Sequence, residues 1–277
     1  MNKNRQTTPI IFKKIFKLLL NPKKLLYKLS QKYIRNYEGF SYEVNKNGEG
    51  KLLKLLHNEK LTNIFDVGAN RGEWSMECLK YFKNSKIYTF ELSGSTFKKL
   101  QKNLNLENIK HNNLALSDKE GEISYKDYGE KYDTINTIIP NSTFWDNETE
   151  YDVKKVLTET GDNYCLNNKI DSIDLLKIDV EGAELLVLKG FLSMLKQHKI
   201  KVIQFEYGYV NADLNFLMKD FFKFFDDLGY EVGVLKPNGV IFKKFEYKLN
   251  SFESGPNFVA ILKSDNHLKN LISVQLI

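Results

Sequence analysis

Acidic residues that could do chemistry recur where apolar, β-branched stretches of this chain end. They are Asp66, Glu91, Asp118, Asp179, Glu181 and Glu206. Parallel strands bring their carboxyl ends to one edge of an α/β sheet, where ligands bind. A carboxylate there can accept hydrogen bonds from ribose hydroxyls, attract a cation, or take a proton from a substrate hydroxyl. The pattern therefore predicts a polar site at one edge of a sheet.

The segment 63–75 indicates the first strand, a tight turn and the helix that follows. β-Branched Ile64 and Val67 precede the turn at Gly68. A helical pattern begins after Gly72, so the segment predicts the first unit of a nucleotide-binding α/β sheet.

The composition of this turn indicates which nucleotide it binds. A dinucleotide-binding turn starting at Gly68 would need glycines where this chain has Asn70 and Glu73, and no Gly-Lys-Ser/Thr of a P-loop follows. Asp66 disfavours a phosphate and favours a cation. S-adenosylmethionine fits, because it carries a sulfonium and an ammonium and has no phosphate. The alternative is an ordinary strand-to-helix turn.

The next two strands also lead to acids. Residues 86–91 predict the second strand, and Glu91 follows Asp66 by 25 residues, which suits a carboxylate that accepts from both ribose hydroxyls. Residues 108–117 predict the third strand with its loop, so Asp118 would reach the same edge and could accept from an adenine amino group. Alternatively, Glu91 is a solvated charge and Asp118 belongs to an ordinary turn.

Candidate catalytic residues follow the fourth and fifth strands, predicted at 173–180 and 200–206. Asp179, Glu181 and Glu206 would lie near the reacting centre. One of them could accept the proton of a sugar hydroxyl, which is a weak nucleophile. The same three could instead bind a divalent cation, although we predict no metal. The structural alternative is that Glu181 and Glu184 only cap the helix after the fourth strand, where acids interact favourably with the helix dipole.

The segment 127–170 is the least regular and is predicted to serve the substrate side, with an extra strand at 153–157 and a short helix at 161–167. It contains Tyr151 and Lys155 in a Y-x-x-x-K spacing, the catalytic pair of short-chain dehydrogenases. A nicotinamide-dependent sugar oxidoreductase is therefore an alternative.

The C-terminal part completes the predicted sheet. Residues 220–228 predict an aromatic packing helix, 231–235 and 240–245 a hairpin around 237–239, and 257–262 the last strand.

The charge of the chain is uneven. The net charge is +6, from 41 Lys and Arg against 35 Asp and Glu. Residues 1–37 hold ten of the basic residues and no acid, which leaves −4 for the rest. A nucleic-acid enzyme would carry its positive charge around the active site, so we predict no nucleic-acid partner. Two cysteines without C-x-x-C spacing favour a reducing cytoplasm.

The N-terminal arm, residues 1–45, alternates apolar residues with lysines and is broken into two helices at Asn21-Pro22. Lysines interrupt every apolar run long enough to span a membrane. Residues 1–37 could therefore lie on an anionic bilayer, at the inner face of the membrane. A helix packed on the domain or in a dimer is equally compatible, so the oligomeric state stays open.

Several motifs together resemble the FkbM-type methyltransferases. They are D-V-G-A-N-R-G at 66–72, F-E-L at 90–92, A-L-S-D-K-E-G-E at 115–122, I-D-L-L-K-I-D-V-E-G-A-E-L at 173–185, L-K-G at 188–190 and F-E-Y-G at 205–208. The resemblance covers about residues 60 to 262. It departs at Leu92-Ser93, where the family often has proline after the ribose carboxylate.

The resemblance implies a class I, Rossmann-like α/β fold with a seven-stranded, mostly parallel sheet whose last strand is antiparallel, in a domain at 46–277 behind the N-terminal helical arm. It implies S-adenosylmethionine as donor. The residues expected to bind it are Asp66, Gly68, Ala69, Asn70, Glu91, Leu92, Ser117 and Asp118. Asp179 and Glu181 would lie beside the transferred methyl group.

The leading hypothesis is therefore an O-methyltransferase that acts on a saccharide, within a surface glycan, a capsule or a lipid-linked precursor. The oxidoreductase is the alternative enzyme, although Trp74 stands where such enzymes need glycine. A third, non-enzymatic hypothesis is a membrane-surface scaffold that keeps the fold without activity.

Overall fold

The computed structural model describes residues 21–139, 150–252 and 255–274. Eleven strands lie in these ranges: β1 Asn63–Val67, β2 Lys86–Phe90, β3 Ile109–Asn112, β4 Ala115–Leu116, β5 Gly121–Asp127, β6 Asp152–Glu159, β7 Ile173–Ile178, β8 Ile200–Glu206, β9 Tyr230–Lys236, β10 Gly239–Phe242 and β11 Asn257–Leu262. The α-helices described are α1 Pro22–Tyr37, α2 Glu49–Leu55, α3 Glu73–Leu79, α4 Gly94–Asn103, α5 Gly161–Asn167, α6 Glu184–Gly190, α7 Leu192–Lys196, α8 Met218–Asp227 and α9 Asn266–Ile272.

The main sheet has the order β10-β9-β11-β8-β7-β1-β2-β3. Strands β3, β2, β1, β7 and β8 run parallel to one another, and β11 is antiparallel to both β8 and β9. The predicted mostly parallel sheet with an antiparallel last strand is confirmed. It has one strand more than the seven expected, because β10, the second strand of the predicted hairpin, pairs with β9 and extends the edge.

The strand order reverses between β1 and β7, which makes this the topological switch point of the sheet. The chain runs from β1 outward through β2 to β3 on one side, and from β7 through β8 on the other. Ligands of open α/β sheets bind beyond the strand ends at such a point. The polar residues that follow β1, β2, β7 and β8 meet there.

Apolar side chains cover both faces of the central strands. In β1, Phe65 and Val67 belong to one core cluster and Ile64 to the other. All six residues of β7 are buried, as its apolar sequence predicts for a strand covered on both faces. Helix α8 packs through Phe221, whose ring stacks on Phe205 of β8 at 5.1 Å between centroids, so the expected aromatic packing helix is confirmed.

A second, smaller sheet has the order β4-β6-β5. Its central strand, β6, includes the extra strand predicted at 153–157 and extends to Asp152–Glu159. Helix α5 has the predicted bounds because the Thr160 side chain accepts from the Asn163 N–H at 3.2 Å and caps it.

Helix α1 is the described part of the N-terminal arm. Pro22 is at its first turn and Asn21 caps it, accepting from the Lys24 N–H at 3.1 Å. None of its residues is buried. The first of the two predicted arm helices falls in residues 1–20, outside the described residues. Within the part of the chain that is described, no helix has the length and apolar character needed to cross a membrane.

Candidate active site

The turn after β1 uses its own backbone amides. The N–H groups of Gly68 and Ala69 both donate to the Phe90 carbonyl, at 3.0 and 2.9 Å. The Asn70 N–H donates to Glu91 Oε2 at 2.9 Å, and Asn70 has a left-handed φ of 45°. A phosphate-binding turn presents such amides to its ligand. These three are already paired, so they do not form a phosphate cradle.

Asp66 lies behind this turn and is fully buried. Its Oδ2 accepts from Ser75 Oγ at 2.6 Å, and its Oδ1 lies 3.4 Å from Lys177 Nζ. A cavity lies over this turn, and Asp66 is not among the described residues that line it. Asp66 thus pairs with Ser75 of α3 and with Lys177 behind the cavity wall, and its contact with the donor stays a prediction.

Glu91 follows β2 and is 5% exposed. Its Oε1 accepts from the Ser93 N–H at 2.8 Å, while Oε2 accepts from Asn70. Burial raises the pKa of Glu91 to about 7, against the lowering effect of the hydrogen bonds from Ser93 and Asn70. Each carboxyl oxygen keeps a further acceptor position, which suits the predicted contact with ribose hydroxyls.

The segment after β5 is attached to the turn through Asp133, which is 4% exposed. Asp133 accepts from Arg71 Nε and Nη2, both at 3.0 Å, and lies 3.3 Å from Lys99 Nζ. Its backbone carbonyl accepts from Asn70 Nδ2 at 2.9 Å. The same segment contributes to the cavity wall through Thr134, Asn136 and Ile138.

A buried ammonium, that of Lys177 in β7, lies on the cavity floor. Its Nζ is 3.2 Å from Asp179 Oδ2 and 3.4 Å from Asp66 Oδ1. It also donates to the Gly68 carbonyl at 3.4 Å. Burial lowers the pKa of Lys177, but the charges of Asp179, Asp66 and Glu49 raise it by more. The lysine therefore stays charged and holds the ends of β1 and β7 together.

The three candidate catalytic carboxyls line this cavity with different charge preferences. Burial favours the neutral form of Asp179, yet the Lys177 ammonium and a hydrogen bond from Glu206 keep its pKa below the usual value. Burial, and then the Asp179 charge, raises the pKa of both Glu181 and Glu206 well above the usual range. Asp179 is thus the ionised member, and a cation entering the cavity would favour ionisation of the other two.

Glu181 is held in a strained turn after β7. Its φ is 54°, and Gly182 follows with φ 102°. The Thr137 hydroxyl donates to the Glu181 carbonyl at 2.8 Å. Asn211 Nδ2 donates to the Gly182 carbonyl at 3.1 Å. Left-handed non-glycine residues persist where surrounding contacts hold them, often at active sites.

Glu184 has a structural role in this turn. Its Oε1 accepts from the Val180 and Gly182 N–H groups at 3.0 and 3.1 Å, and its Oε2 from Asn211 Nδ2 at 2.6 Å. Burial raises the pKa of Glu184 to about 7, against the lowering effect of these hydrogen bonds.

The turn after β1, the end of β2 and the three candidate catalytic carboxyls line one cavity of about 370 Å³. It brings together most of the predicted site residues, namely Gly68, Ala69, Asn70, Glu91, Leu92, Asp179, Glu181 and Glu206. Ser117 and Asp118 are absent from the described lining residues, which reach Leu116. Asp118 is exposed and its Oδ1 accepts from Ser117 Oγ at 3.2 Å, so the predicted adenine contact has no counterpart in this wall. No three His, Cys, Asp or Glu side chains of the described ranges are arranged to hold a metal ion.

Sequence reasoning assigned no site role to several residues that line the cavity, among them Tyr42, Glu49, Arg71, Asp133 and Lys177. Lys177 carried a usable signal, because a charge inside a strand buried throughout indicates a buried partner. Arg71 belongs to the D-V-G-A-N-R-G motif, but the sequence did not indicate a role for it. The position of Asp133 depends on a contact across 62 residues, which no local pattern indicates.

The alternative dehydrogenase pair lies elsewhere. The Lys155 ammonium pairs with Glu122 at 2.6 Å on the second sheet. The Tyr151 ring packs against Tyr128 at 5.6 Å between centroids. Neither Tyr151 nor Lys155 is among the described residues that line the cavity, so the geometry does not support an oxidoreductase.

The strand order β3-β2-β1-β7-β8-β11-β9, with antiparallel β11 between β8 and β9, and a carboxylate-rich cavity at the switch point are those of a class I methyltransferase. The chain belongs to the FkbM methyltransferase family, because the model of the methyltransferase FkbM domain matches residues 66–232, more than half of its length. Membership implies S-adenosylmethionine as the methyl donor.

Similarity to individual proteins is distant. The hexuronic acid methyltransferase AglP of Haloferax volcanii is 25% identical over 178 residues, which is 62% of this chain and 69% of that protein. Methyltransferase 1 of Beauveria bassiana is 25% identical over 146 residues, 46% of this chain and 57% of that protein. The FkbM methyltransferase structure from Methylobacillus flagellatus shares 14% identity at a TM-score of 0.43, over 73% of this chain and 43% of that one.

Proposed function

We propose that this methyltransferase transfers the methyl group of S-adenosylmethionine to a hydroxyl of a saccharide. The observation that carries the proposal is that Asp179, Glu181 and Glu206 line the same cavity as the Gly68 turn and Glu91. A hydroxyl acceptor must lose a proton as the new bond forms, and a carboxyl group at the cavity can accept it.

The residues of this cavity fit the donor. Glu91 would accept from the ribose hydroxyls, and the backbone at Gly68 and Asn70 would adjoin the amino-acid end. At that end Lys177 and Asp179 present opposite charges, which complement a carboxylate and an ammonium. Bound there, the donor supplies a methyl group that is already activated by its sulfonium.

An apolar contact and a polar contact with adenine are also part of the proposal. Leu92 and Leu116 line the cavity and would contact the apolar face of adenine. Ser117 and Asp118 directly follow Leu116; the buried Ser117 hydroxyl donates to Asp118 Oδ1 at 3.2 Å, and the exposed Asp118 would provide a polar contact at the rim.

Glu181 is the preferred general base. Glu206 is hydrogen-bonded to Asp179, and because Asp179 is ionised, Glu206 holds the shared proton. Glu181 lines the same cavity and has a raised pKa. The positive charge of the bound donor would favour the ionised form of Glu181, and a carboxylate with a raised pKa then takes up the proton of a sugar hydroxyl more readily. Asp179 keeps the cluster ordered through Lys177.

A saccharide acceptor is also supported by one relative. AglP, by its name, methylates a hexuronic acid, and it aligns with 62% of this chain. A sugar acid offers two oxygen nucleophiles, a hydroxyl and a carboxylate. A carboxylate acceptor needs no base, so the carboxyl cluster favours the hydroxyl.

The chemical stability of the product tests the proposal. Methyl-labelled donor and a cell-envelope saccharide extract should give label that survives mild alkali, because an ether is stable where a methyl ester is hydrolysed. Glu181→Gln should reduce kcat about 100-fold or more, with donor affinity retained, while Glu107→Gln on the exposed surface should have no effect. Alkali-labile label would exclude a hydroxyl acceptor. Full turnover in both Glu181→Gln and Glu206→Gln would exclude the base assignment.

We also propose that residues 1–37 place the enzyme at an anionic membrane surface on the cytoplasmic side. The exposed apolar side chains of α1 and the ten basic residues of this segment support a peripheral contact. Such a contact would bring the enzyme close to a lipid-linked or surface saccharide.

A further inference from the structure

A second cavity, of about 970 Å³, opens beside the donor cavity. One wall is the side of helix α1 that carries Lys28, Lys32 and Arg35, and the opposite wall is the segment 207–211. This volume is large enough for several sugar rings, since drug-sized ligands occupy about 300 to 1,000 Å³.

The two cavities share part of their walls. The shared residues are Tyr42, Thr134, Glu181 and Glu206. A molecule in the second cavity can therefore reach Glu181, the proposed base, while the donor lies against the Gly68 turn. In-line methyl transfer requires the acceptor oxygen to approach the methyl group opposite the C–S bond that breaks, and a cavity adjoining the donor cavity at the base can hold such an acceptor.

Among the described residues, three cations and three acids line the second cavity, and the three cations are all on helix α1. Lys28, Lys32 and Arg35 recur at helical spacing on one side of α1 and are all exposed. The Arg35 guanidinium stacks on the Phe40 ring at 4.2 Å, which fixes it at the wall.

The acids of this cavity belong to the segment that follows β7 and to the end of β8, not to helix α1. Both oxygens of Glu184 are occupied by Val180, Gly182 and Asn211. Glu181 and Glu206 belong to the wall that is shared with the donor cavity. An anion held by Lys28, Lys32 and Arg35 therefore lies at the α1 wall, while Glu181 faces the reacting hydroxyl.

Aromatic rings provide a surface for a sugar. The Phe252 ring lies between Tyr207, at 5.0 Å, and Tyr209, at 4.5 Å between centroids. All three line the cavity. Tyr209 is half exposed and can contact the apolar face of a sugar ring.

We propose that the second cavity binds the acceptor and that the acceptor is an anionic saccharide, whose negative group is held by Lys28, Lys32 and Arg35 while a hydroxyl reaches Glu181. The inference rests on the proposed function and adds the substrate class and the role of α1. The negative group is a sugar carboxylate or a phosphate, and both would be held by the same cations.

Binding to matched probes tests the proposal. The probes are a glucosyl-glucose disaccharide, its glucuronosyl counterpart and the 1-phosphate of the neutral disaccharide. Their dissociation constants are measured by calorimetry on the full chain, with S-adenosylhomocysteine present and without lipid. We expect at least one charged probe to bind 10-fold or more tightly than the neutral one. The double variant Lys28→Gln/Lys32→Gln should remove this preference, whereas Lys23→Gln/Lys24→Gln, on the same helix but outside the cavity wall, should keep it.

The outcomes separate this inference from the proposed function. A preference for the glucuronosyl probe identifies an acidic sugar, and a preference for the phosphate identifies a glycosyl phosphate. Equal binding of charged and neutral probes, binding of none of them, or a preference that survives Lys28→Gln/Lys32→Gln overturns the inference. If the charge preference depends on these lysines but no saccharide receives an alkali-stable methyl group, the inference stands and the proposed function fails.

Discussion

At the scale of single residues, Glu91 connects the turn after β1 to the end of β2. Its two oxygens accept from the Asn70 and Ser93 N–H groups. In Glu91→Gln one oxygen becomes an NH₂ group, which faces an amide donor and cannot accept from ribose. We expect the dissociation constant for S-adenosylhomocysteine to rise at least 10-fold, measured by calorimetry. Glu107→Gln, which changes an exposed carboxyl, is the control; equal affinities of the two variants would contradict the role of Glu91.

Stability should depend on pH through Glu184. Burial raises its pKa in the folded chain from 4.5 to about 7. Its contribution is therefore fully present below pH 4.5 and is lost as the pH rises through 7. The loss is roughly 3 kcal/mol, because one pKa unit corresponds to about 1.4 kcal/mol. Glu91, Glu181 and Glu206 shift in the same direction.

Urea unfolding between pH 5 and pH 8 measures this effect. The free energy of unfolding should fall with rising pH in the wild type, and the fall should be smaller in Glu184→Gln, which cannot titrate. An identical decrease in both proteins would mean that Glu184 has an ordinary pKa in the folded state.

What the sequence predicts at this scale depends on distance along the chain. Glu91 was identifiable because its place at the end of the second strand, 25 residues after Asp66, can be recognised from the local sequence pattern. Asp66 was identifiable as part of the site, but its buried pairing with Ser75 and Lys177 was not. That pairing depends on how the ends of β1 and β7 are packed, which requires the folded sheet.

At the scale of elements, the turn after β1 is fixed by its contact with the end of β7. Gly68 has φ 80°, and a Cβ there would lie 1.7 Å from the Asp179 carbonyl oxygen. Gly129 has nearly the same φ, 77°, with no atom within 4 Å of the corresponding Cβ. Comparing alanine substitutions at Gly68 and Gly129 therefore separates the cost of backbone strain from the cost of steric overlap.

We therefore expect Gly129→Ala to cost about 1 kcal/mol of backbone strain. Gly68→Ala should cost roughly 3 kcal/mol or more, because the end of β7 must move. It should also abolish binding of S-adenosylhomocysteine. Urea unfolding and calorimetry of both variants provide the comparison, and similar losses of stability would show that the contact between the two strand ends yields easily.

Elements were predicted well where local chemistry specifies them. The α5 helix begins at its Thr160 cap, and the strands β7 and β8 follow continuous apolar runs. The sheet gained β10 because its hairpin folds back alongside β9, and edge pairing of this kind depends on which face of the sheet is open. The wall formed by Thr134, Asn136 and Ile138 belongs to an irregular segment, whose path is set by Asp133 and Arg71.

At the scale of the whole molecule, helix α1 has two different sides. Lys28, Lys32 and Arg35 line the second cavity. With about 100° between successive residues, Leu26, Leu29 and Tyr33 lie roughly 90° to 150° around the helix from the mean direction of these cations. They are 69%, 53% and 71% exposed. If this apolar side lies against lipid, the side with Lys28, Lys32 and Arg35 still faces the acceptor cavity, so the apolar part of the membrane contact and acceptor binding use different residues of one helix.

This separation predicts that membrane binding can be removed without loss of catalysis. Leu26→Ser/Leu29→Ser should reduce sedimentation with phosphatidylglycerol vesicles at least 10-fold, because burying a leucine side chain contributes about 1.5 to 3 kcal/mol. Affinity for S-adenosylhomocysteine and turnover of a soluble acceptor should not change. Leu157→Ser/Leu166→Ser is the matched control, since these leucines are 64% and 76% exposed on β6 and α5. Unchanged vesicle binding in the α1 variant, or an equal loss in the control, would show that the apolar side of α1 does not contact the membrane.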